Sequence, residues 1–387
     1  MVYVGLNGFG RIGKSIFIQM LESKSLKIKA INVTNFDINN IYSYLMYDST
    51  HKYNLNWEIK VIDNSSFSIN DEVIYLFNER DASKINWKKF DDIDYVIDCT
   101  GAYLTQDSCK KHNVNYVIMC APPKDNTPQF VANVNEMSYN GEKIISNASC
   151  TTNCITPVLR FLDNKYKIKK ANFTTIHATT ASQNTIDTKE FKNRTSRSAL
   201  NNIIPHSTGA SKSIKALLPN LDGKIHGTSL RVPVNNVSIV DLNVTIEKDI
   251  PINELVDEME KSEYIKVNRN NLVSCDFNTT SVPSIIDYNA SLQLDKNEFK
   301  LMIWYDNEWS YSAQVIRLLS HIIKFNKEKN NLIHPNFITN YKFYEKEVIL
   351  RVDWNVPYDK NTFKINDDFR IVSSMKTINY ILKQNPK

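Results

Sequence analysis

Glycine is scarce in this 387-residue chain, with nine copies, and four of them stand between positions 5 and 13. The run Gly5-x-Asn7-Gly8-Phe9-Gly10-Arg11-Ile12-Gly13 follows an apolar stretch, Val2–Leu6, and leads into an amphipathic one, Ile12–Leu21. Glycines gathered at a strand-to-helix turn let the backbone approach a bound group closely, and the free N–H groups of the helix N-terminus then face that group. The spacing Gly8-x-Gly10-x-x-Gly13 is that of a dinucleotide-binding turn, where a pyrophosphate rests on the helix end. The chain is therefore predicted to open with a βα unit of a nucleotide-binding sheet, with Gly8, Gly10 and Gly13 as cofactor contacts.

Further apolar strands are predicted at Ile28–Val33, Tyr95–Cys99 and Tyr116–Met119, separated by helical patterns. Residues 1–149 thus read as a parallel doubly wound, Rossmann-like domain of an α/β protein. From about Asn172 longer alternating runs take over, among them Gly227–Val234, Val237–Ile246 and Phe299–Tyr305. That period of two predicts a mostly antiparallel sheet, so residues 150–311 are expected to form a separate α+β catalytic domain. An apolar helix at Ser312–Phe325 has the period to pack back on the first domain and complete it.

With 42% hydrophobic and 23% charged residues the composition excludes a disordered or fibrous chain. The net charge of +5 is scattered, which suits small anionic substrates. There is no basic stripe with interleaved aromatics of the kind that nucleic-acid binding uses. No run of about 18 apolar residues exists, and the opening MVYVGLN reads as a strand. A cytoplasmic location, with no membrane and no nucleic-acid partner, is expected.

Dinucleotide sheets usually place an acid about 20 residues after the glycine turn, at the end of the second strand, on the ribose hydroxyls. Here that strand ends Ala30-Ile31-Asn32-Val33-Thr34, with no carboxylate. A carboxylate repels a 2′-phosphate and Val33 and Thr34 do not, so the expected cofactor is NAD or NADP.

None of the six cysteines has zinc-site spacing, and no metal is expected. Cys99, Cys109, Cys120 and Cys275 are expected to be buried, inert thiols, and Cys154 a buried companion of Cys150. Cys150 differs, because Ser149-Cys150-Thr151-Thr152-Asn153 follows a strand-like Lys143–Ser146 and precedes an apolar helix beginning near Ile155. A thiol at a helix N-terminus has its thiolate stabilised by the dipole and the free N–H groups. His177 ends another predicted strand, where its imidazole can reach Cys150 and serve as base and acid. His51, His112, His321 and His334 read as exposed or satisfied in the core.

Taken in order, NGFGRIG, SNASCTTNC, HATTASQ, HSTGASK, RVPVNNVSIVDL and WYDNEWSYS resemble the glyceraldehyde-3-phosphate dehydrogenase family over residues 1–330. The resemblance implies that Cys150 attacks the aldehyde of glyceraldehyde 3-phosphate, that hydride passes to nicotinamide, and that inorganic phosphate cleaves the thioester to 1,3-bisphosphoglycerate. It implies Thr180 and Arg231 at the substrate phosphate, and Ser149, Thr151, Thr208 and Gly209 at the attacking phosphate. Serines and threonines in loops also serve simply to cap turns. Asn7, Arg11, Ile12, Val33, Thr34, Arg80, Thr100, Gly101, Cys120, Asn307 and Tyr311 would line the cofactor, with Asn307 at the carboxamide. The family also implies a homotetramer, in which the loop carrying Asp187-Thr188-Lys189 approaches a neighbour's cofactor; Lys189 either meets a 2′-phosphate there or stands solvated. This chain departs from the pattern at Val33, where the NAD-using family has Asp, and at Cys120 and Ser310, where it has Ser and Gly. Erythrose-4-phosphate dehydrogenase, a close cousin, and a catalytically silent scaffold are the competing readings.

Beyond a charged linker at 326–345, residues 346–387 carry a strand pattern, Glu347–Val352, and a helix pattern, Val372–Leu382. Val348-Ile349-Leu350-Arg351-Val352-Asp353-Trp354-Asn355-Val356-Pro357, with Ile365–Ile371 after it, resembles the start of phosphoglycerate kinase. Asp353, Asn355 and Arg370 would be its substrate-type residues. A single βα piece cannot bury a core, and no kinase activity is expected of it. A functional link to phosphoglycerate kinase is implied, since that enzyme consumes the product named above.

Overall fold

Around the glycine turn the chain folds as a parallel sheet requires. A computed structural model describes residues 1–53, 56–90, 92–181, 183–189, 191, 193–331, 342–352 and 369–386. It divides into two units, Met1–His321 and Ile322–Lys387.

In chain order the first half contains β1 (Val2–Asn7), α1 (Arg11–Leu21), β2 (Leu26–Asn32), α2 (Ile41–Met46), β3 (Ile59–Asp63), β4 (Ser66–Ile69), β5 (Glu72–Phe77), β6 (Ile93–Asp98), α3 (Gln106–Cys109), β7 (Tyr116–Met119) and β8 (Ile144–Ser146). The strands form one sheet in the order β3-β4-β5-β2-β1-β6-β7-β8. From β5 to β8 every pairing is parallel. The parallel doubly wound sheet is as expected, and β3 and β4 add an antiparallel edge to it. Apolar periodicity misses β3 because four of its five residues are exposed, so neither face carries an apolar row.

The second half begins with α4 (Cys150–Tyr166) and β9 (Ile168–His177), followed by β10 (Ile204–His206), α5 (Ala210–Leu217), β11 (Ile225–Arg231), β12 (Ser238–Ile246), α6 (Ile252–Glu260), β13 (Ile265–Asn268), β14 (Ser284–Asp295), β15 (Glu298–Tyr305) and α7 (Trp309–Asn331). Its seven strands run β10-β11-β9-β12-β15-β14-β13, antiparallel except for the β11·β9 and β13·β14 pairs. β12 and β15 alternate buried and half-buried residues along their length. The buried row, Val240, Leu242 and Val244 with Phe299, Leu301 and Ile303, packs in one core with Ile155, Val158, Leu159 and Leu162 of α4. The first turns of α7 return to the nucleotide half: Gln19 Nε2 donates to Trp309 O at 3.0 Å, and Gln314 Nε2 to Ala132 O at 3.3 Å.

α4 starts five residues before the helix expected near Ile155. Ser149 caps it by accepting the Thr152 N–H at 3.1 Å, and the hydroxyl-rich first turn has no apolar signal to announce it. In the second unit the expected helix is present as α8 (Phe369–Leu382). Glu347–Val352 is not a strand: no described residue pairs with it, and Ile349 is fully exposed. A strand pattern without a partner to complete its ladder stays irregular. Phe343 N–H donates to Gln384 Oε1 at 2.9 Å instead, and Glu345 N–H to Asn385 O at 3.2 Å. No described helix is long and apolar enough to cross a membrane.

Candidate active site

The glycine cradle has the geometry of a phosphate site. Gly8 has φ +95°, and a Cβ on Gly13 would stand 2.1 Å from the Gly8 carbonyl oxygen. A Cβ on Gly10 would meet nothing within 4 Å, so the space in front of the α1 N-terminus is open. Asn7 and Gly13 are buried beside it, and the first turn of α1 presents the N–H groups of Arg11 and Ile12. A pyrophosphate fits such a cradle. The Arg11 side chain is engaged elsewhere, bonding to Asp48 Oδ2 at 2.6 Å and Glu308 Oε2 at 2.6 Å, so it is the backbone of this turn that faces the open space.

A buried carboxylate that belongs to no motif organises the same edge. Asp98, at the end of β6, accepts from Asn7 Nδ2 at 2.6 Å and from the Thr100 hydroxyl at 2.7 Å, and lies 3.0 Å from His112 Nε2. Asn7 Oδ1 accepts in turn from Asn32 Nδ2 at 2.7 Å. Gly101 follows Thr100 with φ +68°. Val33 donates its N–H to Phe77 O, while Thr34, Arg80 and Lys189 are exposed. No carboxylate replaces the missing acid at Val33 itself.

Cys150 is the first residue of α4, His177 the last of β9 and Arg231 the last of β11, and the β11·β9 register sets Arg231 directly opposite His177. Cys150 Sγ lies 3.4 Å from His177 Nε2. His177 Nδ1 is 2.7 Å from Ala178 O and 2.6 Å from Arg231 Nη1, and Arg231 Nη1 also donates to Ala178 O at 3.0 Å. Arg231 only donates and a carbonyl only accepts, so the two neighbours of Nδ1 select opposite tautomers. Burial, then the Arg231 charge, holds the imidazole down at about 3. Burial pushes the Cys150 thiol up, and Arg231 with the Thr151 N–H offsets only part of it. The helix end and Arg231 thus favour the thiolate while burial opposes it. The buried Arg231 Nε has no partner among the described residues, as befits a cation built to receive an anion.

Strained backbone holds this constellation. Ala148, fully buried before the nucleophile, has φ +55°; its N–H donates to Ser146 Oγ at 2.9 Å and its carbonyl accepts the Tyr311 hydroxyl at 3.0 Å. Val237, β-branched, has φ +66° and precedes Ser238, which accepts the Ala178 N–H at 3.0 Å and donates to Asn307 Oδ1 at 2.8 Å. Tyr305 bonds Thr151 at 2.9 Å and Thr175 at 2.8 Å, so the Thr151 hydroxyl turns into the core. Ser149 Oγ lies 2.8 Å from Thr152 Oγ1, Thr208 accepts the Ala210 N–H at 3.2 Å, and Gly209 caps α5. Thr180 N–H donates to Gln183 Oε1 at 3.2 Å. Ala148, Val237, Ser238 and Tyr305 fall inside the quoted motifs, yet neither they nor Asp98 stand out there as site residues, because their roles rest largely on distant partners such as Tyr311, Ala178, Asn307, Thr175 and Asn7.

Among the remaining thiols Cys109 and Cys154 are buried as expected, but Cys275 is exposed and Cys99 and Cys120 are half-buried. Cys275 falls in a short 3-10 turn that leaves its side chain outside the core, so the apolar-core reading fails there. Asp353 and Asn355 lie outside the described residues, as does the side chain of Arg370.

Two family profiles match the region that holds this site: the glyceraldehyde 3-phosphate dehydrogenase NAD binding domain matches residues 2–106, and the C-terminal domain of the same family matches 149–307. Residues 338–387 match phosphoglycerate kinase. The chain is 41% identical over 328 residues to the glyceraldehyde-3-phosphate dehydrogenase of Buchnera aphidicola, which covers 82% of this chain and 98% of that one. It is 40% identical to the cytosolic enzyme of Leishmania mexicana, over 83% of this chain and 99% of the relative. With glyceraldehyde-3-phosphate dehydrogenase A of Escherichia coli it shares 39% identity over 84% of this chain and 99% of the relative. On these grounds the chain belongs to the glyceraldehyde-3-phosphate dehydrogenase family, NAD(P)-using oxidoreductases that act on an aldehyde group, and it continues into a short phosphoglycerate kinase segment.

Proposed function

We propose that this chain oxidises glyceraldehyde 3-phosphate to 1,3-bisphosphoglycerate through a thioester on Cys150. The observation that carries the reading is the Cys150–His177 pair at 3.4 Å, with Arg231 opposite His177 in the register of two parallel strands. The substrate phosphate binds Arg231 and Thr180. Drawn to that anion, Arg231 releases Nδ1, which keeps its proton on Ala178 O and leaves Nε2 as acceptor for the Cys150 proton. The sulfur adds to the aldehyde carbon as the His177 imidazolium returns that proton to the carbonyl oxygen, and the neutral His177 then takes the hydroxyl proton as the hemithioacetal is oxidised. The bound nicotinamide cofactor supplies the hydride acceptor. Inorganic phosphate, held by Ser149, Thr208, Gly209 and the N–H of Thr151, then attacks the thioester carbonyl, and the C–S bond breaks to return Cys150. Capture as a thioester retains oxidation energy that direct hydration to the acid would lose.

In the same reading residues 1–149, completed by 312–325, hold the cofactor and 150–311 carry the chemistry. NADP is accepted beside NAD, because Val33 and Thr34 put no negative charge at the ribose. A homotetramer, a cytosolic location and a functional link through the 346–387 segment to phosphoglycerate kinase complete it. The test is reduction of NAD and NADP by the purified chain with glyceraldehyde 3-phosphate, with and without inorganic phosphate, beside Cys150→Ser. Phosphate-dependent turnover lost in the variant is expected; reduction without phosphate dependence, or none at all, rejects the mechanism.

A further inference from the structure

β6 and β7 run parallel side by side, with Asp98 opposite Met119 in register. The residues that follow are Cys99 and Cys120, whose Sγ atoms lie 3.6 Å apart. Both are free, half-buried thiols. Their backbone is anchored: Cys99 N–H donates to Asn7 O at 2.7 Å and Cys120 N–H to Asp98 O at 2.9 Å. Neighbouring strands run about 4.8 Å apart, inside the range of roughly 4.4–6.8 Å between Cα atoms that a disulfide spans.

The pair also borders the phosphate cradle. The Cys99 Cβ is 3.8 Å from where a side chain on Gly13 would begin, and its carbonyl carbon is 3.1 Å from the equivalent point on Gly8. Thr100 and Gly101, at the same strand end, come next in the chain.

We propose that Cys99 and Cys120 form an oxidisable dithiol at the rim of the cofactor cleft, a modification site for hydroperoxides separate from Cys150. Cys99 packs against the Gly8 and Gly13 backbone, so in this proposal Cys120 is the sulfur that meets the oxidant. Its thiolate attacks the peroxide; an S–O bond forms, the O–O bond breaks, and the departing oxygen leaves protonated as an alcohol or water. The Cys99 sulfur then attacks the sulfenic sulfur, the S–S bond forms as the S–O bond breaks, and the hydroxide departs with the Cys99 proton as water. Two thiols lose two electrons and the peroxide gains them. Closing 3.6 Å to an S–S bond of about 2.05 Å brings the two sulfurs together by roughly 1.5 Å, by rotation of the two side chains. That movement re-aims the Cys99 side chain beside Gly13 and stiffens the rim of the cradle, which lowers cofactor affinity, a consequence that rests on reading the cradle as the cofactor site.

The experiment uses the full chain carrying Cys150→Ser, so that the nucleophile does not compete. Hydrogen peroxide treatment, alkylation of remaining thiols and peptide mapping are combined with NAD titration by intrinsic fluorescence. A linked Cys99–Cys120 peptide is expected, absent when either position is also changed to Ser, together with roughly tenfold weaker NAD binding that dithiothreitol reverses. Recovery of both cysteines as alkylated thiols, or as separate sulfinic acids, overturns the dithiol. A linked peptide with unchanged NAD binding overturns its coupling to the cleft, whatever the turnover assay shows.

Discussion

Replacing His177 with Asn removes a group whose protonation the fold opposes. The imidazole is held at about 3 against an ordinary 6.5, by burial first and the Arg231 charge second. A depressed native value means that the unfolded chain takes the proton more readily, so this group contributes stability above pH 6.5 that is lost as the pH falls toward 3. Between pH 7 and pH 5 the native ring stays neutral while the unfolded one charges, and at ~1.4 kcal/mol per unit the loss is about 2 kcal/mol. His177 is 4% exposed, so solvent screening removes little of it. Carboxylates elsewhere titrate in both proteins, so the comparison of interest is between slopes. Urea unfolding of the parent and of His177→Asn at pH 5, 6 and 7 is expected to show the parent losing about 2 kcal/mol more than the variant across that range. Parallel pH dependences would refute both the burial of a neutral His177 and the role of Arg231 in keeping it neutral.

Gly13→Ala gains about 1 kcal/mol of helix propensity, yet its Cβ would stand 2.1 Å from a backbone oxygen that cannot rotate away. The clash should win, with a net loss of about 1–3 kcal/mol in thermal denaturation and weaker NAD binding; an unchanged or raised melting temperature would count against the cradle geometry. Tyr305→Phe leaves the buried Thr151 and Thr175 hydroxyls without their shared partner, and a loss of about 1–3 kcal/mol in urea unfolding is expected. Asp98→Asn weakens the charged anchor of Asn7 and Thr100. Steady-state kinetics should then show KM for NAD raised about tenfold, at ~1.5–3 kcal/mol for a charge-assisted bond, with kcat nearly unchanged and partial rescue by Asp98→Glu; a fall in kcat alone would disprove the positioning role.

The parts of this protein legible in its sequence are those in which neighbours along the chain make the feature. Four glycines in nine positions announce the cradle, alternation announces β12 and β15, and the hydroxyl-rich turn beside Cys150 marks it as chemical. Where a feature depends on a partner, the same reasoning fails. β3 has no apolar row and escapes detection, whereas Glu347–Val352 has the pattern of a strand and no described residue to pair with. The electrostatics of Cys150 are a similar case, since the helix end that favours a thiolate is visible locally and the burial that opposes it is not.

Residue types and their local order thus determined the nucleotide-binding half, the candidate nucleophile and the family motifs. Tertiary structure decided that His177 and Arg231, fifty-four positions apart, face each other across two strands in register, and that His177 reaches Cys150. It also decided the supporting roles of Asp98, Tyr305, Ser238 and the strained Ala148, and it set Cys99 beside Cys120. The physical reason is range: propensity, capping and turn chemistry act within a few residues, while register, burial and electrostatics are settled only when distant segments pack.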